Sequence, residues 1–326
     1  MSIFVSIASY RDKELRDTLD SAFAYADRPD EITYGIVNQC EPNERLIFNQ
    51  DNVKEIWMPS EDARGAGYAR AMAQTLYDGE DFFLQIDSHT FFDPGWDTML
   101  LDAYYMATTI ENDDKVIISH FPRKYERSDG GRILLRDTSK RYGSGVKEGE
   151  IGKNLLVVGD KKEIRPLRTE FEHKEDPYPE ESMCVAAGLI FAPAKIIQEV
   201  PYDPDIVFWG EEVTFSMRAW LRGWRIYSAK EWIASHHYTR DKTHPRIQDL
   251  SKKYITMDKV STWHQMEIWS ENYLGIWGSP ELGGVDRYSK FVDINMKAAM
   301  KNREWYMKGG ELENKGVDMM EWMQGV

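Results

Sequence analysis

The sequence predicts an α/β chain built on a largely parallel sheet, with a helical C-terminal part. Three observations carry this reading. Short apolar β-rich runs alternate with segments of helical period through the first half. Proline and glycine punctuate the joins, and the pattern turns continuously helical from about Leu250. Strands separated by helices argue for βαβ units and a parallel sheet.

Ile3–Ala8 is a compact apolar strand. The apolar residues Leu15, Leu19, Ala22, Phe23 and Ala26 recur at helical spacing, and Pro29 closes the segment. Glu31–Asn38 and Val53–Met58 read as the next two strands, and Gly65–Leu76 as a helix of small residues. Asp81–Asp87 is a fourth strand, Trp96–Thr108 a helix, and Val116–His120 a fifth strand. Residues 123–182 are rich in charge, glycine and proline, and read as a hairpin excursion or a mobile loop over the site. Cys184–Ala192 returns as a strand, Glu211–Arg222 is a helix stopped by Gly223, and Arg225–Tyr227 and Trp232–Ala234 are extended. The expected division is a catalytic domain over 1–245 and a helical extension over 246–326.

Bulk properties narrow the function. The 326 residues carry a net charge of −14, which repels bulk nucleic acid and anionic membrane. Only Cys40 and Cys184 are present, so neither a disulfide framework nor a zinc-finger spacing exists, which fits a reducing compartment. The N-terminus lacks the basic and apolar regions of a signal peptide, and no apolar run reaches the ~18 residues of a membrane span. A cytoplasmic location without membrane attachment is expected.

Asp87-Ser88-His89 follows the run Phe82-Phe83-Leu84-Gln85-Ile86. Residues two apart on an extended chain face the same side, so Asp87 and His89 can meet one ion. Ligands of parallel α/β sheets bind beyond the carboxyl ends of strands. Mixed oxygen and nitrogen ligation suits Mn²⁺ or a similar ion better than Ca²⁺. The competing reading is a helix-capping Asp beside a satisfied histidine. Ser235-His236-His237-Tyr238 offers a third ligand. We favour His237 over His236, because its spacing to Arg240 also places a cation near phosphate. A pair of surface histidines is the alternative.

Trp209-Gly210-Glu211-Glu212 is a glycine turn opening a helix. One carboxylate is a candidate for sugar hydroxyls or acid–base work, and Trp209 for stacking on a ring. Acidic residues in a first helical turn are also favoured by the macrodipole alone. Ala187-Gly188 reads as a place where a ligand approaches the backbone, or as a crowded core strand. Arg64-Gly65-Ala66-Gly67-Tyr68-Ala69-Arg70 offers helix-start amides and guanidinium groups to phosphate, without a Walker or dinucleotide pattern. Ser9-Tyr10-Arg11 follows the first strand and can stack on and hydrogen-bond a nucleobase; a plain loop is the alternative.

Three segments, Val5 to Asp12, Ala66 to Arg70 and Phe83 to His89, resemble in this order the cytoplasmic N-acetylglucosaminyltransferases that modify a hydroxyproline on a ubiquitin-ligase adaptor. Trp209-Gly210-Glu211-Glu212 and the following histidines are similar to the wider polypeptide GalNAc-transferases, where such a segment precedes the third metal-binding histidine. The resemblance spans roughly residues 2–245. It implies a glycosyltransferase A-type fold, a UDP-sugar donor (UDP-GlcNAc in the nearest family), a divalent ion and retention at the anomeric carbon. It assigns Asp87 and His89 to the metal, with His236 or His237 as the later histidine. It also places Ser9 to Arg11 at the uridine and Arg70 at the diphosphate. If Glu211 or Glu212 is a general base the reaction inverts; if neither is, the departing phosphate takes the acceptor proton. Three other readings compete. They are a metal-dependent nucleotide-sugar hydrolase, a non-catalytic glycan-binding module, and transfer to hydroxymethylated DNA bases along Arg123, Lys124, Arg127, Arg132, Arg136, Lys140 and Arg141.

Overall fold

The computed structural model describes residues 1–127, 133–135, 152–158, 164–173, 175–238 and 244–299. Its strands in chain order are β1 (Ile3–Tyr10), β2 (Ile32–Gln39), β3 (Val53–Met58), β4 (Phe82–Asp87), β5 (Thr90–Phe92), β6 (Val116–Ile118) and β7 (Arg123–Arg127). They continue with β8 (Ile133–Leu135), β9 (Lys153–Val158), β10 (Ile164–Thr169), β11 (Glu180–Ser182), β12 (Leu189–Pro193), β13 (Arg225–Ser228) and β14 (Ala234–His236). The helices are α1 (Leu15–Tyr25), α2 (Ala66–Gln74), α3 (Trp96–Glu111), α4 (Ile196–Glu199), α5 (Glu211–Leu221), α6 (Ser251–Trp269) and α7 (Gly284–Val292).

An eight-stranded sheet in the order β11-β13-β6-β12-β4-β1-β2-β3 forms the centre. Strands β3, β2, β1 and β4 run parallel to one another. Strand β12 runs against β4 and β6, and β13 is parallel to β6. Alternation in β1 sends Ile3, Val5 and Ile7 to one face, where Leu15 and Leu19 of α1 and Trp96 and Leu100 of α3 cover them. Phe4 faces the other way, onto a layer with Phe83, Phe215 and Trp224. Both faces are buried, which explains why β1 and β4 read as nearly continuous apolar runs.

A second, four-stranded sheet has the order β5-β14-β7-β8, and its β5 starts just past the carboxyl end of β4. Its register sets His236 opposite Thr90, beside the turn that carries Ser88 and His89. Strand β5 is too short to leave a sequence signal, and the last extended segment begins at Ala234 rather than Trp232. The expected strand from Cys184 starts only at Leu189, because a turn closed by Leu189 N–H to Ala186 O precedes it. The described part of 123–182 forms strands. It contains β7, β8, β11 and the antiparallel pair β9–β10.

Helices α6 and α7 pack on the body of the fold. Ile268, Trp269, Val285 and Tyr288 share an apolar cluster with Val213 and Met217 of α5. Trp269 Nε1 donates to Thr214 Oγ1 at 3.0 Å, and Tyr288 OH donates to Met183 O at 3.0 Å. Cys40 and Cys184 are buried free thiols. Among the described residues no helix is long and apolar enough to cross a membrane.

Candidate functional site

The carboxyl end of β4 gathers the site. Asp87, His89 and His236 each offer one ligand atom, and these atoms lie within 4.8 Å of one another. The His89 and His236 rings meet edge to face with centroids 4.4 Å apart. Asp87 Oδ2 lies 3.0 Å from His236 Nε2, and Asp87 Oδ1 accepts from Arg70 Nη2 at 2.8 Å. Burial alone would raise the Asp87 carboxyl. The His236 hydrogen bond and the Arg70 charge outweigh it and hold the group well below the usual carboxylate range. Asp87 is therefore an anion ready to ligate. One carboxylate and two imidazoles form a donor set that fits Mn²⁺ or a related first-row ion.

Glycine at 188 keeps this cluster open. A Cβ there would stand 3.2 Å from Asp87 Oδ2 and 3.6 Å from His236 Cδ2. The residue sits in the turn before β12, so a side chain there would crowd the Asp87 carboxylate and touch the His236 ring.

Arg70, on α2, is 3% exposed. Its Nη1 pairs with Glu211 Oε1 at 2.6 Å and donates to Tyr202 OH at 3.1 Å. The guanidinium is thus spent on two carboxylates and a phenol, and it acts on the site by orienting Asp87. Burial raises the Glu211 carboxyl, and the Arg70 pair offsets part of that rise. Glu212 Oε1 accepts Ala187 N–H at 2.8 Å, and burial pushes its carboxyl up to about 7. Gly210 takes φ +83° at the head of α5, where the chain turns sharply. Just before it, Phe208 and Trp209 are 41% and 57% exposed and meet edge to face.

The adjacent histidines point different ways. His236 belongs to the cluster, whereas His237 Nδ1 bonds Glu14 Oε1 at 2.6 Å. Tyr125 OH also donates to Glu14, Arg127 Nε pairs with it at 3.1 Å, and the Tyr125 ring stacks on His237. Successive residues of an extended chain alternate faces, so only one of the pair can meet Asp87. Arg240, the reason for favouring His237, lies outside the described residues.

The remaining expected residues fall as follows. Ser9 is buried at the end of β1, and its Oγ has no hydrogen-bond partner among the described residues. Tyr10 is half-buried beside it. Arg11 is held by Glu44, with Nε and Nη2 at 2.9 and 2.7 Å from its carboxylate. Arg64 is exposed and lies 4.6 Å over the Tyr68 ring. Gly65 and Gly67, at the start of α2, do not open a phosphate cradle. Ala66 N–H is taken by Val207 O at 2.7 Å, and a Cβ on Gly67 would strike Ile206 O at 2.0 Å. In the basic strip, Arg123 pairs with Asp93, Lys124 with Glu126, and Arg127 with Glu14 and Asp17. The other four members lie outside the described residues.

Sequence reasoning gave no role to Asp12 or Tyr202. Asp12 Oδ2 lies 2.8 Å from His89 Nδ1, and Tyr202 OH bridges Arg70 and Gln85. Asp12 had a usable signal, since it is polar and lies two residues past the first strand. Tyr202 belongs to none of the motifs and had no such signal. A second acid–histidine group, Asp203, Asp205 and His264, also lies within metal-ligand spacing. There His264 Nε2 is bonded to Asp203 Oδ2 at 2.8 Å, and the buried Arg218 beside Asp203 already supplies positive charge.

The sequence matches the family described as glycosyltransferase (GlcNAc) over residues 2–47 and 38–272. No curated protein matches it. Among solved structures, GalNAc-T7 with UDP, GalNAc and Mn²⁺ is similar at 15% identity and a TM-score of 0.57. That alignment covers 96% of this chain and 57% of GalNAc-T7, and it is a likeness of fold. Residues 1–349 of S. aureus TarS in complex with UDP-GlcNAc align at 16% identity and a TM-score of 0.48, over 99% of this chain and 78% of that one. The chain thus spans little more than half the length of GalNAc-T7. Its mixed α/β architecture, with a mostly parallel central sheet, is that of the glycosyltransferase A-type fold.

Proposed function

Because this chain belongs to the GlcNAc glycosyltransferase family, we propose that it moves a GlcNAc-type sugar from a UDP-sugar to an acceptor hydroxyl, using a divalent ion held by Asp87, His89 and His236. One observation carries the proposal. A carboxylate and two imidazoles converge to within 4.8 Å at the carboxyl end of β4, where ligands of such sheets bind. GalNAc-T7, which shares the fold, holds UDP, GalNAc and Mn²⁺, and this supports both donor class and ion.

When bound, such an ion would neutralise the diphosphate as it leaves. The chain's own groups prepare the place. Arg70 aims Asp87 from behind, and Glu211 holds Arg70. Gly188 leaves room beside the ligands. The exposed Trp209 offers a ring to a sugar face. In the reaction the acceptor oxygen bonds to the anomeric carbon and the bond from that carbon to the phosphate oxygen breaks. The acceptor proton passes to the departing phosphate, with retention. Glu211 is occupied by Arg70, and Glu212 Oε1 by the Ala187 amide, which supports a path without a carboxylate base. An acceptor hydroxyl on a protein, such as hydroxyproline, is the finer reading, in a reducing cytoplasmic setting that suits two free thiols.

The test is UDP release from a panel of nucleotide sugars with Mn²⁺ and with EDTA, with and without candidate acceptors. Acceptor-stimulated, EDTA-sensitive release with one donor supports the proposal. Equal release without acceptor identifies a hydrolase, and no release with any donor overturns the reading. Proton NMR of the product gives its anomeric configuration.

A further inference from the structure

We infer that Asp12 is a positioning residue that fixes the tautomer and orientation of His89, so that its Nε2 carries the lone pair offered to the ion. The inference rests on the metal reading above.

Asp12 lies just past β1, next to β4, where Ala8 is in register with Asp87. Its side chain is 1% exposed. Oδ1 accepts the Glu14 N–H at 3.0 Å. Oδ2 accepts from Ser88 Oγ at 2.9 Å and faces His89 Nδ1 at 2.8 Å. A carboxylate only accepts hydrogen bonds, so Nδ1 must carry the hydrogen. In a neutral imidazole the other nitrogen, Nε2, then holds the lone pair. Metal-bound histidines commonly show this arrangement, with the second nitrogen given to a carboxylate.

The backbone around Asp12 is built to hold that contact. Arg11 takes φ +47°, a left-handed conformation that costs a non-glycine residue energy. It is pinned by Arg11 N–H to Gln39 O at 2.9 Å and by the Arg11–Glu44 fork. The turn it supports is held from α1 as well. Thr18 Oγ1 donates to Ser88 O at 2.8 Å and accepts from Thr90 N at 3.1 Å. Residues 12 to 18 thus grip the turn between Asp87 and Thr90 on several sides, and Asp12 is the member that touches the ligand ring itself.

The experiment uses the full chain, metal-free, with ¹⁵N-labelled histidine. Long-range ¹H–¹⁵N correlation reads each imidazole, and loss of one pattern in His89→Gln assigns residue 89. The expected wild-type pattern is Nδ1–H with a bare Nε2. In Asp12→Asn the amide oxygen keeps the Glu14 contact and the NH₂ faces Nδ1, so the tautomer should invert to Nε2–H. Mn²⁺ affinity, read as free ion by electron paramagnetic resonance, should fall roughly 10- to 100-fold. A merely structural Asp12 would not move the tautomer. A wild-type His89 with Nε2–H overturns the inference. So does an Asp12→Asn protein that keeps the wild-type tautomer and binds Mn²⁺ as tightly as wild type. Should Asp12→Asn fail to fold, the wild-type tautomer alone decides. Absence of Mn²⁺ binding in wild type would instead overturn the metal reading, and the tautomer would still report on Asp12.

Discussion

Replacing Glu212 by Gln is expected to change how stability depends on pH. Glu212 accepts the Ala187 amide through Oε1, a contact that Gln preserves. Burial lifts its carboxyl from 4.5 to about 7 in the folded protein. The folded state therefore keeps a proton that the unfolded chain releases across this interval. The resulting cost is absent below about pH 4.5, grows as pH rises, and is complete above about pH 7. At roughly 1.4 kcal/mol per pH unit the interval corresponds to ~3 kcal/mol. Partial solvent access at Glu212 screens it, so the swing is between about 1 and 3 kcal/mol. Glu212→Gln lacks this cost. Its stability relative to wild type should rise by that amount between about pH 4.5 and pH 8. Urea unfolding across the range, with linear extrapolation, measures it. A difference constant to within roughly 0.5 kcal/mol would refute the reasoning. The same variant reports on chemistry: without a carboxylate base it should keep a measurable transfer rate and the same anomeric product.

Asp87→Asn removes the anionic ligand while Glu211 continues to neutralise Arg70, so turnover should fall at least ~10²-fold with only ~1–3 kcal/mol lost in stability. Steady-state kinetics at saturating Mn²⁺ and thermal unfolding separate the two effects. His236→Ala should weaken Mn²⁺ binding at least ~10-fold. His237→Ala should leave that affinity near wild type but destabilise by ~1–3 kcal/mol, because buried Glu14 loses a partner. Gly188→Ala should fold normally yet bind Mn²⁺ less tightly, since its methyl would stand 3.2 Å from Asp87 Oδ2; equal affinity would count against the cluster as a metal centre. Trp269→Ala should cost ~3–5 kcal/mol by chemical denaturation, given its burial against α5.

Long elements and local turns were readable, because their signals are local. β1 and β4 show as apolar runs, and α5 is framed by Gly210 and Gly223, both at positive φ. The Asp87–His89 pair was legible for the same reason, as a polar break at the end of a buried strand. The choice between His236 and His237 was not. It depends on which face of β14 meets the β4 turn, and that follows from pairing with β5, a three-residue strand without a pattern of its own. Arg70 looked like a phosphate ligand because nothing in its neighbourhood of sequence announces Glu211 or Tyr202, which reach it from over a hundred residues away. Gly65 and Gly67 at the start of α2 misled in the same manner. They accommodate the backbone at Ile206 and Val207, a contact visible only in three dimensions.

Helix α5 works at both ends of a lever. Its outer side is seated on Trp269 through Thr214, and three residues earlier Glu211 grips the guanidinium that steadies Asp87. A load applied to the C-terminal helices is therefore borne by the same rod that trims the carboxylate at the heart of the protein. Loosening a distant indole would slacken the aim of a group it never meets.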